Sequence, residues 1–114
     1  MQKTALIVNP DAEHREALHE FLSGANYKVI AATRGDDAVD LCRTYEGAID
    51  LLVTDVELPG TSGWRLAEIA SGFRPGLMVL FLPPSSCDDP FSPSMLLRVT
   101  QALSRRARHN KRLN

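Results

Sequence analysis

The sequence contains no apolar run long enough to span a membrane, and its first residues do not have the layout of a signal peptide. It has only two cysteines, Cys42 and Cys87, which are far apart and lack CxxC spacing, so a disulfide scaffold or zinc site is not expected. Its 13 basic and 14 acidic residues nearly cancel, which argues against nucleic-acid binding by the domain as a whole. These absences favour a cytoplasmic protein.

The composition is that of an ordinary globular domain. Of 114 residues, 44% are hydrophobic and 24% are charged, which is enough apolar material for one core. We expect one folded domain over residues 1–108, followed by a basic C-terminal tail over residues 109–114.

Four short apolar runs alternate with segments of helical periodicity. The runs predict strands at 4–8, 28–32, 49–54 and 77–82. Apolar residues at helical spacing predict helices from Asp11, as N-cap, to about Gly24, and at 35–45, 62–73 and 93–106. The apolar face of the first predicted helix includes Ala25, and that of the third includes Phe73. Strands that alternate with helices predict an α/β fold with a doubly wound parallel sheet.

A single carboxylate, Asp55, ends the third apolar run and is followed by a Pro-Gly turn. Binding sites in open parallel sheets form outside the carboxyl ends of the strands. The first strand ends at the same edge with Asn9, Pro10 and Asp11, and the fourth ends there with Pro83. We therefore expect the candidate site around Asp55.

The segment "IDLLVTDVELPGTSGWRLAEI" resembles the phosphoacceptor segment of response-regulator receiver domains, the CheY-like family. Asp55 matches the phosphorylated aspartate of that family, and Pro59 and Gly63 match the loop that follows it. "GANYKVIAATRGDDAVDL" is similar to the second strand and helix, and "PFSPSMLLRVTQAL" to the last helix. The resemblance implies a flavodoxin-like fold. It also implies a signalling role rather than an enzymatic one, in a two-component phosphorelay with a histidine kinase or phosphotransfer protein as partner.

Four positions depart from the family pattern. The acidic pair that holds Mg²⁺ in the family is replaced by Asn9 and Pro10, the hydroxyl by Pro83, and the lysine by Asp89. Asn9 can offer a carbonyl oxygen but no charge. Ser85 or Ser86 could substitute as donors for the missing hydroxyl, but an ordinary role in the loop is the favoured interpretation of both. The metal ligands that the resemblance still implies are Asp55 and the backbone carbonyl of Glu57. Asp11, one place beyond the lost pair, is a further candidate, with helix capping as its alternative role. We therefore expect Mg²⁺ binding to be weak or absent.

The chain is also shortened. Only the eight residues 83–90 join the fourth strand to the last helix, which predicts that the family's fourth helix is missing and its fifth strand minimal. The apolar surface left open predicts self-association as a homodimer through that region.

Two hypotheses about function stay open. The first is a phosphoacceptor domain in which Asp55 is phosphorylated, and the second is a phosphorylation-independent pseudo-receiver that acts through protein contacts. Other polar and aromatic residues receive ordinary interpretations: His14 flanks the apolar face of the first helix, His19 faces solvent, and Trp64 packs on the loop near Asp55.

Overall fold

The computed structural model describes residues 2–82. The predictions for Pro83, Ser85, Ser86 and Asp89, for the shortened segment 83–90, for the last helix and for the basic tail lie outside these residues.

Strands and helices alternate along the described chain, as the sequence predicts. The strands are β1 (Lys3–Val8), β2 (Tyr27–Ala32), β3 (Leu51–Asp55) and β4 (Met78–Leu82). The helices are α1 (Ala12–Gly24), α2 (Gly35–Thr44) and α3 (Gly63–Phe73). All strand pairs are parallel, and the spatial order is β2-β1-β3-β4. The predicted doubly wound α/β fold is confirmed.

The two central strands are covered on both faces, which explains why they are continuous apolar runs. On one face, Leu18 and Leu22 of α1 pack against Ala5 and Ile7 of β1. On the other face, α2 and α3 pack against the alternate residues of the same strands. Side chains of a strand point alternately to the two faces of a sheet, so each face receives half of every run. The core therefore has two layers, one on each side of the sheet.

Two predicted core positions are wrong. Ala25 is exposed and lies just after the end of α1, because the chain turns there through Asn26 with a positive φ of 69°. Phe73 is 49% exposed because it is the last residue of α3 and lies three positions beyond Ala70, the last buried residue of that helix. Ile49 is buried as predicted, but β3 begins two residues later, at Leu51.

The N-termini of α1 and α3 are capped by side chains. The Asp11 carboxylate accepts hydrogen bonds from the backbone N–H groups of Glu13 and His14, which confirms it as the N-cap of α1. Ser62 caps α3 by accepting a hydrogen bond from the N–H of Arg65. Within residues 2–82, no helix is long and apolar enough to cross a membrane.

Candidate functional site

Asp55 is the last residue of β3 and lies at the carboxyl edge of the sheet. It is only 6% exposed. The β1–β3 register pairs Val8 with Thr54, so the next residues, Asn9 and Asp55, lie side by side at that edge. The parallel register therefore brings together two residues that are 46 positions apart in the sequence.

The side chain of Asn9 donates to Asp55. Its Nδ2 lies 3.2 Å from Asp55 Oδ1, and its Oδ1 accepts a hydrogen bond of 2.9 Å from the backbone N–H of Asp11. The N–H of Asp11 can only donate, so it fixes the amide with its oxygen turned to Asp11 and its NH₂ turned to Asp55. Asn9 is 1% exposed, so this orientation is also confined by packing. The carbonyl oxygen that the sequence offered as a cation ligand therefore faces the N–H of Asp11, and the NH₂ group faces Asp55.

The carboxylate of Asp11 is engaged by the helix that it caps. Its Oδ1 accepts hydrogen bonds of 2.9 Å from Glu13 N–H and 3.3 Å from His14 N–H, and lies 3.2 Å from His14 Nδ1. The interaction with the His14 side chain is the main cause that lowers the pKa of Asp11, and the two backbone hydrogen bonds add to it. Its role as a metal ligand stays a prediction.

His14 lies closer to the candidate site than its sequence interpretation suggested. Its side chain is 12% exposed, and its Nε2 is buried without a hydrogen-bond partner. Its charge interaction with Asp55 favours the ionised carboxylate. The only sequence signal for this position was the spacing of three residues from the N-cap. His19 is exposed, as predicted.

Burial dominates the ionisation of Asp55. The pKa of this carboxyl is raised from 3.8 to about 6, mainly because burial removes it from solvent; the charge interaction with His14 opposes the rise, and the neighbouring charge of Asp11 adds to it. The Asp55 carboxyl therefore ionises at a pH about two units higher than a carboxyl in water does.

The loop after Asp55 passes close beneath the start of α3. The N–H of Gly63 donates to Val56 O at 2.7 Å, and a Cβ at Gly63 would overlap the carbonyl oxygen of Asp55. Only glycine fits this approach, which explains the glycine that the sequence places there. Glu57, whose backbone carbonyl was a predicted ligand, is exposed, as is Pro10.

Two residues of α2 complete the surroundings of this loop and were not singled out from the sequence. Asp36 accepts two hydrogen bonds from Thr61, and Gly35 N–H donates to Pro59 O at 3.1 Å. No local pattern could have paired residues 25 positions apart.

Trp64 contacts β4. Its ring is tilted against that of Phe81, with 4.3 Å between the ring centroids, and Trp64 is 62% exposed. Its predicted packing on the loop near Asp55 stays a prediction.

The donors at this edge do not provide a ready magnesium site. Mg²⁺ usually takes one or two carboxylates together with water. Asp55 supplies one carboxylate, but Asn9 points N–H groups at it, and the Oδ1 of Asp11 is used in capping. Among residues 2–82, no cluster of three or more His, Cys, Asp or Glu residues could hold a metal ion.

The parallel order 2-1-3-4, with a carboxylate at the end of the third strand, defines a CheY-like α/β domain. Residues 5–104 match the family described as the response regulator receiver domain. The chain belongs to this family, whose members are signalling domains of two-component systems. Receiver domains act with histidine kinases or phosphotransfer proteins and bind Mg²⁺ at their phosphorylation site.

Individual relatives agree with this assignment. The chain is 33% identical to the transcriptional regulatory protein GltR of Pseudomonas aeruginosa over 92% of its length and 50% of that protein. It spans half or less of the length of this and the other curated relatives that it matches.

Solved structures agree with it as well. The receiver domain of the hybrid histidine kinase CckA is 28% identical, with a TM-score of 0.72 over 88% of this chain and 98% of that one. The response regulator TrrA of Thermotoga maritima, solved in complex with Mg²⁺-BeF, is 28% identical, with a TM-score of 0.63 over 71% of this chain and 69% of that one.

Proposed function

We propose that this chain is a pseudo-receiver, a two-component signalling domain that acts through protein contacts without phosphorylation of Asp55. The observation that carries the proposal is the hydrogen bond from Asn9 Nδ2 to Asp55 Oδ1. It places a neutral donor on the carboxylate, at the position where the family has an acidic metal ligand.

Phosphoryl transfer to a carboxylate brings two negatively charged groups together, and catalysis depends on positive charge that is already in place. The described neighbours of Asp55 supply little of it. Asn9 is neutral, and Asp11 adds a negative charge that opposes ionisation of Asp55. Two described residues can bring positive charge to this edge. His14 lies near enough to Asp55 to affect its pKa, and the Arg15 guanidinium donates a hydrogen bond of 2.9 Å to the backbone carbonyl of Asn9. On this proposal, Mg²⁺ binds weakly or not at all.

A second function, weak phosphorylation at Asp55, is favoured by a different observation. Asp55 ends the central strand β3, and its pKa of about 6 still leaves it ionised above that pH. The similar receiver TrrA was solved with Mg²⁺-BeF. In this alternative, Asp55 and the Glu57 carbonyl would hold the metal, with Asp11 as the candidate third ligand. The reaction amounts to Mg²⁺-assisted self-phosphorylation, and the partner is a histidine kinase or phosphotransfer protein.

An NMR titration distinguishes the two functions. Amide shifts of the ¹⁵N-labelled chain are followed as Mg²⁺ and then beryllofluoride, a phosphoryl mimic, are added, with Asp55→Asn as the control. For a pseudo-receiver we expect no saturable shifts around Asp55. Saturable shifts that disappear in Asp55→Asn would refute the pseudo-receiver and support the phosphoacceptor.

The variant Asn9→Asp makes a negative result informative. It restores one carboxylate beside Asp55 and removes the amide donor, so we expect it to respond to Mg²⁺ where the natural chain does not. If neither the natural chain nor Asn9→Asp responds to Mg²⁺, the weak binding does not depend on Asn9, and the hydrogen bond from Asn9 to Asp55 does not explain it.

We also propose that the receiver-like domain spans residues 1–108 and is followed by a basic tail at 109–114. We propose further that the chain binds a protein partner and forms a homodimer through the region that the short segment 83–90 is predicted to leave open. A mass in analytical ultracentrifugation that stays monomeric at every concentration would contradict the homodimer.

A further inference from the structure

The loop behind Asp55 is tied to the first turn of α2. Thr61 donates to Asp36 Oδ1 twice, from its N–H at 2.8 Å and from its hydroxyl at 3.1 Å. The N–H of Gly35 donates to Pro59 O at 3.1 Å. These contacts join the N-terminus of α2 to the turn that precedes α3.

The backbone of this turn lies directly against the Asp36 side chain. Gly60 has a positive φ of 79°, and a Cβ there would overlap the Asp36 carboxylate. A Cβ at Gly35 would likewise overlap the carbonyl oxygen of Thr61. Two glycines thus allow an approach that no other residue type permits, and the carboxylate fills the space between them.

The carboxylate is ionised in this position. Hydrogen bonds from Thr61 are the main cause that lowers the pKa of Asp36, and Arg34, whose Nη2 lies 3.3 Å from Asp36 Oδ2, lowers it further. A charged acceptor holds two donors more strongly than a neutral one does.

Both ends of the same loop lie at Asp55. Val56 follows Asp55 in the chain, and Gly63 N–H donates to Val56 O at 2.7 Å, so close that a Cβ at Gly63 would overlap the Asp55 carbonyl oxygen. The segment 56–62 is therefore closed against the backbone of the candidate site, and Asp36 holds it at Thr61, two residues before Gly63. A displacement of the backbone at Asp55 has to be taken up inside this short segment or passed on to the Asp36–Thr61 contact.

We infer that Asp36 is a positioning residue: acting through Thr61 and Gly60, it holds the loop behind Asp55 and couples that site to the N-terminus of α2. The inference goes beyond the proposed function, because it applies whether or not Asp55 accepts a phosphoryl group. It assigns a role to a surface carboxylate that makes no direct contact with Asp55 among the described residues.

The test compares Asp36→Ala with Asp37→Ala in the full chain. Asp37 is an exposed neighbour in the same helical turn, so its replacement removes the same charge without touching the loop. For Asp36→Ala we expect amide hydrogen exchange at Thr61 to accelerate by about twofold to tenfold, the range for loss of such a hydrogen bond. We also expect shifted amide signals at residues 55–57. Asp37→Ala is expected to leave both unchanged.

Two further variants separate positioning from general destabilisation. Asp36→Asn keeps an oxygen that can accept both bonds, so it should restore most of the protection at Thr61. Thr61→Val removes the hydroxyl alone, so it should accelerate exchange less than Asp36→Ala does. Thermal unfolding of each variant shows whether global stability has changed.

Coupling must also be reciprocal. Asp55→Asn is therefore expected to shift the amide signals of Asp36 and Thr61. The inference is overturned if Asp36→Ala leaves exchange at Thr61 and the signals at 55–57 unchanged, if Asp37→Ala has the same effect, or if Asp55→Asn leaves the α2 signals in place. None of these measurements uses Mg²⁺ or beryllofluoride, so their outcome is independent of the proposed function.

Discussion

Replacement of Asp55 by Asn should stabilise the protein, and the gain should grow with pH. Asp55 is 6% exposed, and burial raises its pKa from 3.8 to about 6. Keeping the charged form in the fold therefore costs free energy, whereas an amide of nearly the same shape does not carry that cost. The amide oxygen can still accept the hydrogen bond from Asn9.

The shifted pKa of Asp55 determines the sign and the size of this pH-dependent change in stability. With the folded pKa above the unfolded one, the neutral carboxyl contributes stability that is complete below pH 3.8 and is lost as the pH rises through about 6. The gap between the two pKa values corresponds to at most about 3 kcal/mol of unfolding free energy. About half of this difference develops between roughly pH 5 and pH 8, and the rest lies below.

Urea unfolding of both proteins at several pH values measures this difference. Any change in hydrogen bonding or packing gives a constant offset, so the diagnostic quantity is the increase of the difference with pH. Asp37→Asn is the control, because it replaces an exposed carboxylate in the first turn of α2. A stability difference between Asp55→Asn and the natural chain that stays flat from about pH 5 to pH 8 would refute the reasoning.

Three other substitutions test the packing around the site by urea unfolding. Arg74→Met removes three hydrogen bonds to backbone carbonyls at and after the end of α2, so we expect a loss of about 2 kcal/mol, partly recovered in Arg74→Lys. Gly63→Ala should lower the free energy of unfolding by about 1–3 kcal/mol, because the new methyl group overlaps backbone atoms. Gly72→Ala should raise it by about 0.5–1 kcal/mol, because its methyl group meets nothing within 4 Å. Equal effects of the two variants would contradict the close approach at Gly63. Trp64→Ala should cost about 0.5–1.5 kcal/mol through the lost contact with Phe81, and an unchanged stability would show that the ring pair contributes nothing.

The elements that the sequence predicted well are those with a local cause. Apolar runs bounded by turn residues became buried strands, as in β1 and β3, because burial on both faces requires an uninterrupted run. Asp11 was identified as an N-cap because the cap uses only the next three residues. The position of Asp55 at the carboxyl edge of the sheet was predicted because parallel strands all end at the same edge, and Asp55 ends β3 there.

The features that the sequence did not reveal depend on contacts between distant residues. The direction of the Asn9 amide depends on where Asp11 N–H and Asp55 lie in space, and residue type alone leaves its two ends equivalent. The Asp36–Thr61 contact joins a helix to a loop across 25 positions. Phe73 fits the helical period of α3 but falls at the helix end, where the period no longer guarantees burial.

Asn9 stands where the family has an acidic residue, and this difference changes more than the number of metal ligands. Two carboxylates side by side repel each other, so a site that has them gains from a cation that compensates both charges. An amide in the same place removes that repulsion and adds a hydrogen bond to Asp55, so the fold no longer needs a cation to tolerate the carboxylate. The raised pKa that persists is then mainly an effect of burial, with a smaller contribution from Asp11. The buried carboxylate still costs free energy, but the fold tolerates it without a cation, and this is the physical reason why we expect the response of Asp55 to Mg²⁺ to be weak or absent.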